Sequence, residues 1–282
     1  MFFLLEFNKV MKMAVYSSEN NCFFEHKTHT EPMTMQSAHY HDSHELYFLK
    51  KGRTKYFVDN EIFILEPGDM VFIPKFVFHK TDNGQCTEVE RLRFSFGDDF
   101  AGKDFQKYID ELKQKRFIRM PDDSLSELEN IINRLETEGT KKQKNYAEMQ
   151  RLCFMQMLVL ISRYCTTNSS HLTPSEQTIQ NIAKYISENC GMELSLEALS
   201  RKYAMSPSHL CRLFKKTIGI GLSEYVNISR ITAAEKLLQA TDKTVTQIAT
   251  ECGFNDSNYF AAVFKKYKGT TPKKYSMEKR KS

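Results

Sequence analysis

The chain has 282 residues, of which 41% are hydrophobic and 27% are charged, with a formal net charge of +5. This length and composition suit two ordinary soluble domains, and no apolar run approaches the ~20 residues of a membrane-spanning helix. The seven cysteines are scattered and form no Cys-x-x-Cys pair, which argues against a disulfide framework and against a zinc finger.

Residues 1–30 show no clear hydrophobic period and are predicted to form an N-terminal arm. The first six residues, MFFLLE, are apolar, but they lack the basic start and the length of a signal peptide. We therefore expect the protein in the cytoplasm.

Residues 31–100 are predicted to form a small barrel. Five short runs in this region are rich in β-branched and aromatic residues, and turn residues separate them. The runs are ELYFL (45–49), TKYFV (54–58), EIFIL (61–65), MVFI (70–73) and RLRFSF (91–96). Strands this short and evenly spaced are typical of a β-barrel or a β-sandwich.

The hydrophobic pattern then changes to a helical period. Residues 101–165 contain three stretches with apolar residues at three-to-four spacing, at 104–116, 124–138 and 145–165. The third stretch is apolar on most sides, so it either packs on the barrel or provides a dimer face. The polar segment 166–175, which contains a proline, is the predicted linker to a second domain.

The predicted second domain, residues 176–282, contains an internal repeat. LCRLFKK at 210–216 is followed by a glycine at 219, and FAAVFKK at 260–266 is followed by a glycine at 269. Each copy reads as a short helix, a turn and a second helix that ends in Phe-Lys-Lys. This is the pattern of a helix-turn-helix unit, whose second helix can enter a major groove.

A predicted helix over residues 222–240 joins the two copies. Its length of ~30 Å is close to the ~34 Å that separates successive major-groove faces of DNA. The region 175–282 also holds 17 Lys and Arg against 10 Asp and Glu, whereas the rest of the chain holds 23 against 25. A basic domain beside a slightly acidic one points to a polyanionic partner for the basic domain alone.

Two stretches of this domain, MSPSHLCRLFKK (205–216) and IATECGFNDSNYFAAVFKK (248–266), resemble the DNA-binding domain of the AraC/XylS family of transcription regulators. The resemblance implies DNA contacts from the exposed face of each second helix and its cap. The implied residues are Ser206, Ser208, His209, Cys211, Arg212 and Lys215 in the first unit, and Ser257, Asn258, Tyr259, Ala262 and Lys265 in the second.

Arg212 is the best candidate for a base contact, because a guanidinium can pair bidentately with guanine. Many relatives carry a long polar or basic residue where this chain has Ala262. We therefore expect less hydrogen-bonded base reading from the second unit than from the first.

The barrel region resembles the two motifs of the cupin fold. HYHDSHE (39–45), followed by Gly52, matches the first motif, and GDMVFIP (68–74), followed by HKTDN (79–83), matches the second. The chain departs from the second motif at Phe76, where the motif has glycine. A cupin half of this kind is common in AraC-like regulators.

The cupin motifs supply a set of candidate ligand-binding residues. The candidates for effector binding are His39, His41, Glu45 and His79, with Arg53 and Tyr56. Three imidazoles and a carboxylate also form a fair site for a divalent transition metal. The sequence leaves three alternatives open: a pocket for a polar effector, a metal site, or residues that only pack the barrel.

The predicted architecture is therefore an α+β multidomain chain. An N-terminal cupin-like β-barrel with following helices precedes an all-α domain with two helix-turn-helix units. The leading hypothesis is a regulator, not an enzyme, that binds double-stranded DNA and a small-molecule effector. A sugar is one candidate effector, because genes for carbohydrate use are frequent targets of relatives. The resemblance also implies a homodimer and contact with RNA polymerase. The alternatives are a metal-dependent cupin enzyme with an accessory DNA-binding tail, and a regulator that needs no small molecule.

Overall fold

The computed structural model describes residues 13–17, 22–35, 38–166 and 172–279. The chain divides into two compact units, Met1–His171 and Leu172–Ser282. The division falls inside the segment 166–175 predicted as a linker, of which residues 167–171 lie outside the described residues. Within the described part of the chain, no helix is both long enough and apolar enough to cross a membrane.

The first unit is built on antiparallel strands. In chain order they are β1 (Met13–Ser17), β2 (Cys22–His29), β3 (His44–Lys51), β4 (Thr54–Val58), β5 (Glu61–Leu65), β6 (Asp69–Ile73), β7 (His79–Asp82), β8 (Val89–Phe96), β9 (Phe117–Arg119) and β10 (Cys165–Thr166). A seven-stranded sheet has the order β1-β2-β8-β3-β6-β9-β10, and a three-stranded sheet has the order β5-β4-β7. The five predicted runs coincide with β3, β4, β5, β6 and β8, within one or two residues at their ends.

Four α-helices and one short 3-10 helix (Lys103–Phe105) complete the described part of the first unit. The α-helices are α1 (Asp98–Ala101), α2 (Gln106–Lys115), α3 (Asp122–Lys141) and α4 (Tyr146–Ser162). The stretch 145–165 was predicted as one helix, but α4 ends at Ser162 and residues 165–166 pair with β9 as a strand. Phe154 of α4 packs edge-on against Phe96 of β8 at a centroid distance of 4.8 Å, so α4 covers the sheet. Leu152 on the same helix is 60% exposed.

The seven-stranded sheet has two chemically different faces. Because side chains alternate along a strand, Leu46 and Phe48 of β3 join the apolar cluster under the helices. Tyr47 and Leu49 of the same strand join a second cluster that contains Tyr56 of β4. The face that carries Tyr47 is therefore turned toward the three-stranded sheet and forms the interior of the barrel.

The prediction of an arm over residues 1–30 is wrong for residues 13–17, which pair with β2 as strand β1, and for residues 22–29. β2 pairs with β8 along its whole length, from Cys22 opposite Phe96 to His29 opposite Val89, so the barrel begins before residue 31. The sequence hid this strand because its interior face carries Glu25, Lys27 and His29, which leaves no apolar alternation to detect. Residues 1–12 and 18–21 of the predicted arm lie outside the described residues.

The second unit is helical within its described residues. Its helices are α5 (Pro174–Glu188), α6 (Leu196–Lys202), α7 (Pro207–Ile218), α8 (Leu222–Ala240), α9 (Val245–Glu251), α10 (Ser257–Lys268) and α11 (Pro272–Lys279). The predicted helix over 222–240 is confirmed as α8. Helices α6 and α7 form one helix-turn-helix unit, and α9 and α10 form the other.

The two second helices begin and end alike. The Ser206 hydroxyl accepts a hydrogen bond from the His209 amide at 3.3 Å, and the Asp256 carboxylate accepts one from the Tyr259 amide at 2.6 Å. Both helices end at a left-handed glycine, Gly219 or Gly269, where φ is 96° and 72°. Side-chain caps at the N-terminus and glycine at the C-terminus satisfy backbone groups that lack a helical partner.

Candidate functional sites: two reader helices and a polar barrel interior

The first candidate site is the exposed face of α7. Leu210, Phe214 and Ile218 are buried and fix the inner face of this helix. The predicted contact residues on the opposite side are all exposed: Ser206, Ser208, His209, Cys211, Arg212 and Lys215. Nη2 of Arg212 lies 3.3 Å from Nδ1 of His209, one helical turn earlier, so the two side chains share one surface.

The second candidate site is the matching face of α10. Phe260, Val263 and Phe264 are buried in a cluster with α8 and α9. The predicted contact residues of this unit are also all exposed: Ser257, Asn258, Tyr259, Ala262 and Lys265. The structure adds one restraint that the sequence did not suggest: the Tyr259 hydroxyl accepts a hydrogen bond from Nδ2 of Asn227 in α8, at 2.9 Å.

The turn of each helix-turn-helix unit contains one residue with a left-handed backbone conformation, but the type of residue differs. The second turn has Gly253 at φ 85°, which suits a residue without a Cβ. The first turn has Ala204 at φ 51°, where a Cβ costs roughly 1 kcal/mol. The backbone of the turn is therefore shared, and the first unit adopts it with some strain.

A third candidate site lies inside the barrel, where three histidines meet. His39 and His79 exchange backbone hydrogen bonds at 3.0 Å across an isolated bridge. The ring of His79 has its centroid 4.3 Å from that of His39 and 4.9 Å from that of His41. One ring nitrogen of each histidine lies within 4.8 Å of the others, so the three could hold one metal ion.

Backbone carbonyls set the tautomers of two of these histidines. Nδ1 of His79 lies 2.9 Å from the carbonyl oxygen of Val77, and Nδ1 of His41 lies 2.8 Å from that of Ser43. A carbonyl only accepts, so both Nδ1 atoms carry a proton. The neutral ring then offers the lone pair of Nε2, which is the arrangement that metal-binding histidines use. Nε2 of His79 is buried and has no hydrogen-bond partner among the described residues.

Glu45 is the carboxylate of this site. Its Oε1 accepts a hydrogen bond from the Tyr56 hydroxyl at 3.0 Å, and its Oε2 lies 3.2 Å from Nε2 of His41. A carboxylate only accepts, so this contact is a hydrogen bond when Nε2 of His41 carries a proton. Nη1 of Arg93 lies 3.8 Å from Oε2.

The ionisation of the site follows from burial and from these partners. Burial raises the pKa of Glu45, but the hydrogen bond with His41 and the charge of Arg93 outweigh it, so the pKa is lowered overall. Burial, with the neighbouring His79, lowers the pKa of His39 to about 4, and burial also lowers the pKa of His79. Near neutral pH the site therefore combines a charged carboxylate with neutral imidazoles at His39 and His79.

Arg53 is not part of this cluster. The sequence predicted it with the effector-binding residues, but it is exposed in the turn between β3 and β4, outside both strands. The cation beside Glu45 is Arg93 of β8 instead. The other predicted residues, His39, His41, Glu45, His79 and Tyr56, do lie together.

The interior of the barrel holds further charged residues that the sequence reasoning missed. Arg91 forms an ion pair with Glu25 at 2.8 Å, and both side chains are buried. Several buried polar atoms on this interior face have no hydrogen-bond partner among the described residues. They are Nε2 of His29, Nδ1 of His39, Nε2 of His79, Nδ2 of Asn83 and Nη1 of Arg91. Buried polar atoms without partners are rare in folded proteins, so this interior suits a polar ligand.

A signal for these residues exists in the sequence. Glu25, Lys27 and His29 alternate along β2, and Arg91 and Arg93 alternate along β8, which places each set on one face. Charged residues at every second position of a strand mark a polar interior as readily as a polar exterior. Only the pairing of β2 with β8 and of β8 with β3 decides between the two.

Phe76 lies in a left-handed backbone conformation, with φ of 61°. This is the position at which the second cupin motif has glycine. The backbone of the cupin turn is thus kept, although an aromatic side chain that is 40% exposed replaces the glycine.

Comparison with known families matches one domain model to each of the two compact units of the chain. The model of a helix-turn-helix domain matches residues 199–278, and that of a cupin domain matches residues 27–90. The cupin match begins within β2, in agreement with the pairing of that strand into the barrel.

Similar proteins include regulators that align over most of the chain. The HTH-type transcriptional activator RhaR of Mannheimia succiniciproducens is 25% identical over 253 residues, covering 86% of this chain and 91% of that protein. The HTH-type transcriptional activator RhaS of Klebsiella pneumoniae is 25% identical over 250 residues, covering 84% of this chain and 87% of that protein. The crystal structure of the C-terminal domain of the response regulator yesN from Fusobacterium nucleatum is 37% identical and covers 37% of this chain and 99% of that chain, with a TM-score of 0.34. With its cupin domain and its paired helix-turn-helix units, the chain belongs to the AraC-like DNA-binding transcription regulators.

Proposed function

We propose that this regulator binds a DNA site of two boxes, with α7 in one major groove and α10 in the next. The main support for this proposal is that two helices of equal length, 50 residues apart in sequence, bury equivalent faces and leave their opposite faces exposed. Arg212 reads a base in the first box, and Lys215 and Lys265 contact phosphates. Because both lysines are exposed, binding weakens steeply as salt increases.

The regulator is proposed to respond to a small polar effector inside the barrel. The support is the group of buried and unpartnered polar atoms there. Nδ2 of Asn83 and Nη1 of Arg91 can donate to an incoming hydroxyl, carbonyl or carboxylate, and Nε2 of His79 can accept from a hydroxyl. The effector would contact His39, His41, His79 and Tyr56, and sugars are one class with enough hydroxyl groups. It changes transcription only if it binds one arrangement of the protein better than the other.

The remaining features of the proposal follow from the relatives. Both matched regulators are called transcriptional activators, so we propose activation, with contact to RNA polymerase, in the cytoplasm. A homodimer is proposed through the helices that cover the barrel, where Leu152 leaves an apolar side chain exposed.

A second candidate keeps the regulator but gives the barrel a divalent transition metal. The specific support is that His79 carries its proton on Nδ1 and keeps a buried Nε2 without a partner among the described residues, close to His41 and to the carboxylate of Glu45. His39, His41, His79 and Glu45 would hold the ion, which would supply a Lewis-acidic anchor for the effector. An enzyme with a DNA-binding tail needs the same metal.

The experiment that tests the proposal combines DNA binding with metal analysis. The full chain, prepared without chelator or affinity tag, is analysed for metal by mass spectrometry and used to capture genomic DNA fragments. We expect captured fragments with two related boxes, and loss of box preference in the variant Arg212→Ala. Metal-free protein that still binds DNA selectively excludes the metal candidate and the enzyme with it. Capture without sequence preference contradicts the regulator with two readers.

A further inference from the structure

The segment that contains α8 links the two helix-turn-helix units covalently, and the loop before α6 also touches the second unit directly. Arg230 lies midway along α8, half-buried, just before Ile231, with which the core of the second unit begins. Its side chain reaches back to the segment that precedes the first unit. Nε donates to the carbonyl of Cys190 at 3.0 Å, and Nη2 donates to that of Met192 at 3.3 Å.

The same guanidinium also contacts the turn of the second unit. It lies over the ring of Phe254, 5.7 Å from the centroid, and beside the backbone of Gly253. A cation over an aromatic face is attracted by the ring, and the planar guanidinium can do this while it donates hydrogen bonds at its edge. Arg230 therefore joins the segment before α6 to the turn between α9 and α10.

Two glycines bring these backbones into direct contact. A Cβ added at Gly191 would lie 2.4 Å from the carbonyl oxygen of Glu251, and one added at Gly253 would lie 2.7 Å from that of Cys190. Neither distance leaves room for a side chain, so the first segment fits against the second turn only because both positions are glycine.

Beside this contact lies a groove of about 720 Å³ that is lined by residues of both helix-turn-helix units. Side chains of α10 also contact the N-terminal half of α8, through Tyr259 with Asn227 and Tyr267 with Glu224, whereas the contact at Arg230 includes close backbone packing.

We infer that Arg230 is a positioning residue that holds the two helix-turn-helix units in one fixed relative orientation, and so sets the spacing of the two DNA boxes. The inference rests on the proposed binding of both units to DNA. Two units in a fixed orientation fit one box separation, because each inserted base pair moves the second box by ~3.4 Å and rotates it by ~35°. Two units joined loosely accept several separations, but binding through both units then increases the affinity for DNA less.

The test measures how affinity depends on box separation. Captured two-box DNA is compared with the same DNA carrying one or two extra base pairs between the boxes. For the wild-type chain we expect a loss of affinity of about tenfold or more per altered spacing, and for Arg230→Ala a loss of less than about threefold. The variant Arg230→Lys, which keeps one charged donor, should fall between the two. Lys236→Ala, at an exposed position of the same helix, is the matched control and should keep the wild-type dependence.

The outcomes separate this inference from the function on which it rests. General destabilisation of the domain would weaken binding to every fragment equally and leave the spacing dependence unchanged, so it cannot imitate the expected result. If Arg230→Ala and Arg230→Lys keep the full wild-type penalty, Arg230 does not position the readers. If the wild-type chain itself shows no spacing dependence on its captured DNA, the two-reader function is contradicted as well.

Discussion

The hydroxyl of Tyr56 in β4 donates a hydrogen bond to Oε1 of Glu45 in β3, at 3.0 Å, and both side chains are almost fully buried. The bond joins the three-stranded sheet to the seven-stranded sheet across the interior of the barrel. It also contributes a donor to a carboxylate that has no access to water. Structural stability and the candidate ligand site therefore share one contact.

The variant Tyr56→Phe should lower the free energy of unfolding by about 1.5–3 kcal/mol, the range for a hydrogen bond to a charged group. Urea unfolding of the full chain, followed by a signal from the N-terminal compact unit, measures this change. Tyr47→Phe is the control, because Tyr47 is equally buried but its hydroxyl lies 3.5 Å from the neutral hydroxyl of Thr54. Equal losses in the two variants would contradict the importance of the charge on Glu45.

The buried ion pair between Glu25 and Arg91 should respond unequally to the loss of its two partners. Glu25→Met leaves the buried Arg91 without its carboxylate and should cost ~3–5 kcal/mol. Arg91→Met should cost less, because Glu25 keeps an ion pair with Arg93 at 3.3 Å. The double variant should be more stable than Glu25→Met alone, as measured by chemical unfolding of the three proteins. A double variant that loses the sum of the single losses would show that the pair is not coupled.

His26 predicts a pH dependence of stability. Its ring lies 2.7 Å from Glu136 of α3 and 2.8 Å from Glu90 of β8. The hydrogen bond to Glu136 raises the pKa of His26 above its ordinary value of 6.5, against the opposing effect of burial. A raised pKa contributes stability that is full below the unfolded value and is lost as the pH rises through the folded value.

The variant His26→Gln should therefore lose more stability at about pH 6 than at about pH 8.5. Thermal unfolding of both proteins across this range measures the difference. A gap between wild type and variant that stays constant with pH would mean that His26 is not charged in the folded protein.

Arg212 and Lys215 should separate base reading from phosphate binding. Arg212→Ala should relax the preference at one base position, at a cost of about 1–3 kcal/mol for the preferred base. Lys215→Ala should weaken all sequences alike and reduce the slope of log affinity against log salt by about 1. Both residues are exposed on α7, so neither change should disturb the fold. Competition binding with a library of box variants at several salt concentrations distinguishes them, and a uniform loss for Arg212→Ala would remove its role as a reader.

Much of the C-terminal compact unit could be predicted from the sequence, because its signals are local. Ser206, Pro207 and Gly219 mark the ends of α7 through caps and backbone preferences, and the repeat 50 residues later marks α10 in the same way. The barrel was harder to predict. β2 and the interior role of Glu25 and Arg91 depend on pairing between strands about 65 residues apart, which no local pattern encodes.

Arg53 illustrates the opposite error. It was predicted to line the pocket, although the period of the sequence does not settle which face it occupies, and the turn that begins at Gly52 places it outward. Nothing in the sequence distinguishes Arg230, because a lone arginine in a helical stretch resembles any solvated charge. Its contacts with Cys190 and Met192 arise only from the packing of a loop 40 residues earlier in the chain.

The most direct test of the central claim is a hydroxyl-radical footprint of the full chain on a captured DNA fragment. Two readers on one connecting helix should protect two segments about 10–11 base pairs apart on the same face of the duplex. Arg212→Ala should weaken the first protected segment more than the second. A single protected segment, or protection without a fixed position, would contradict a regulator that reads two adjacent major grooves.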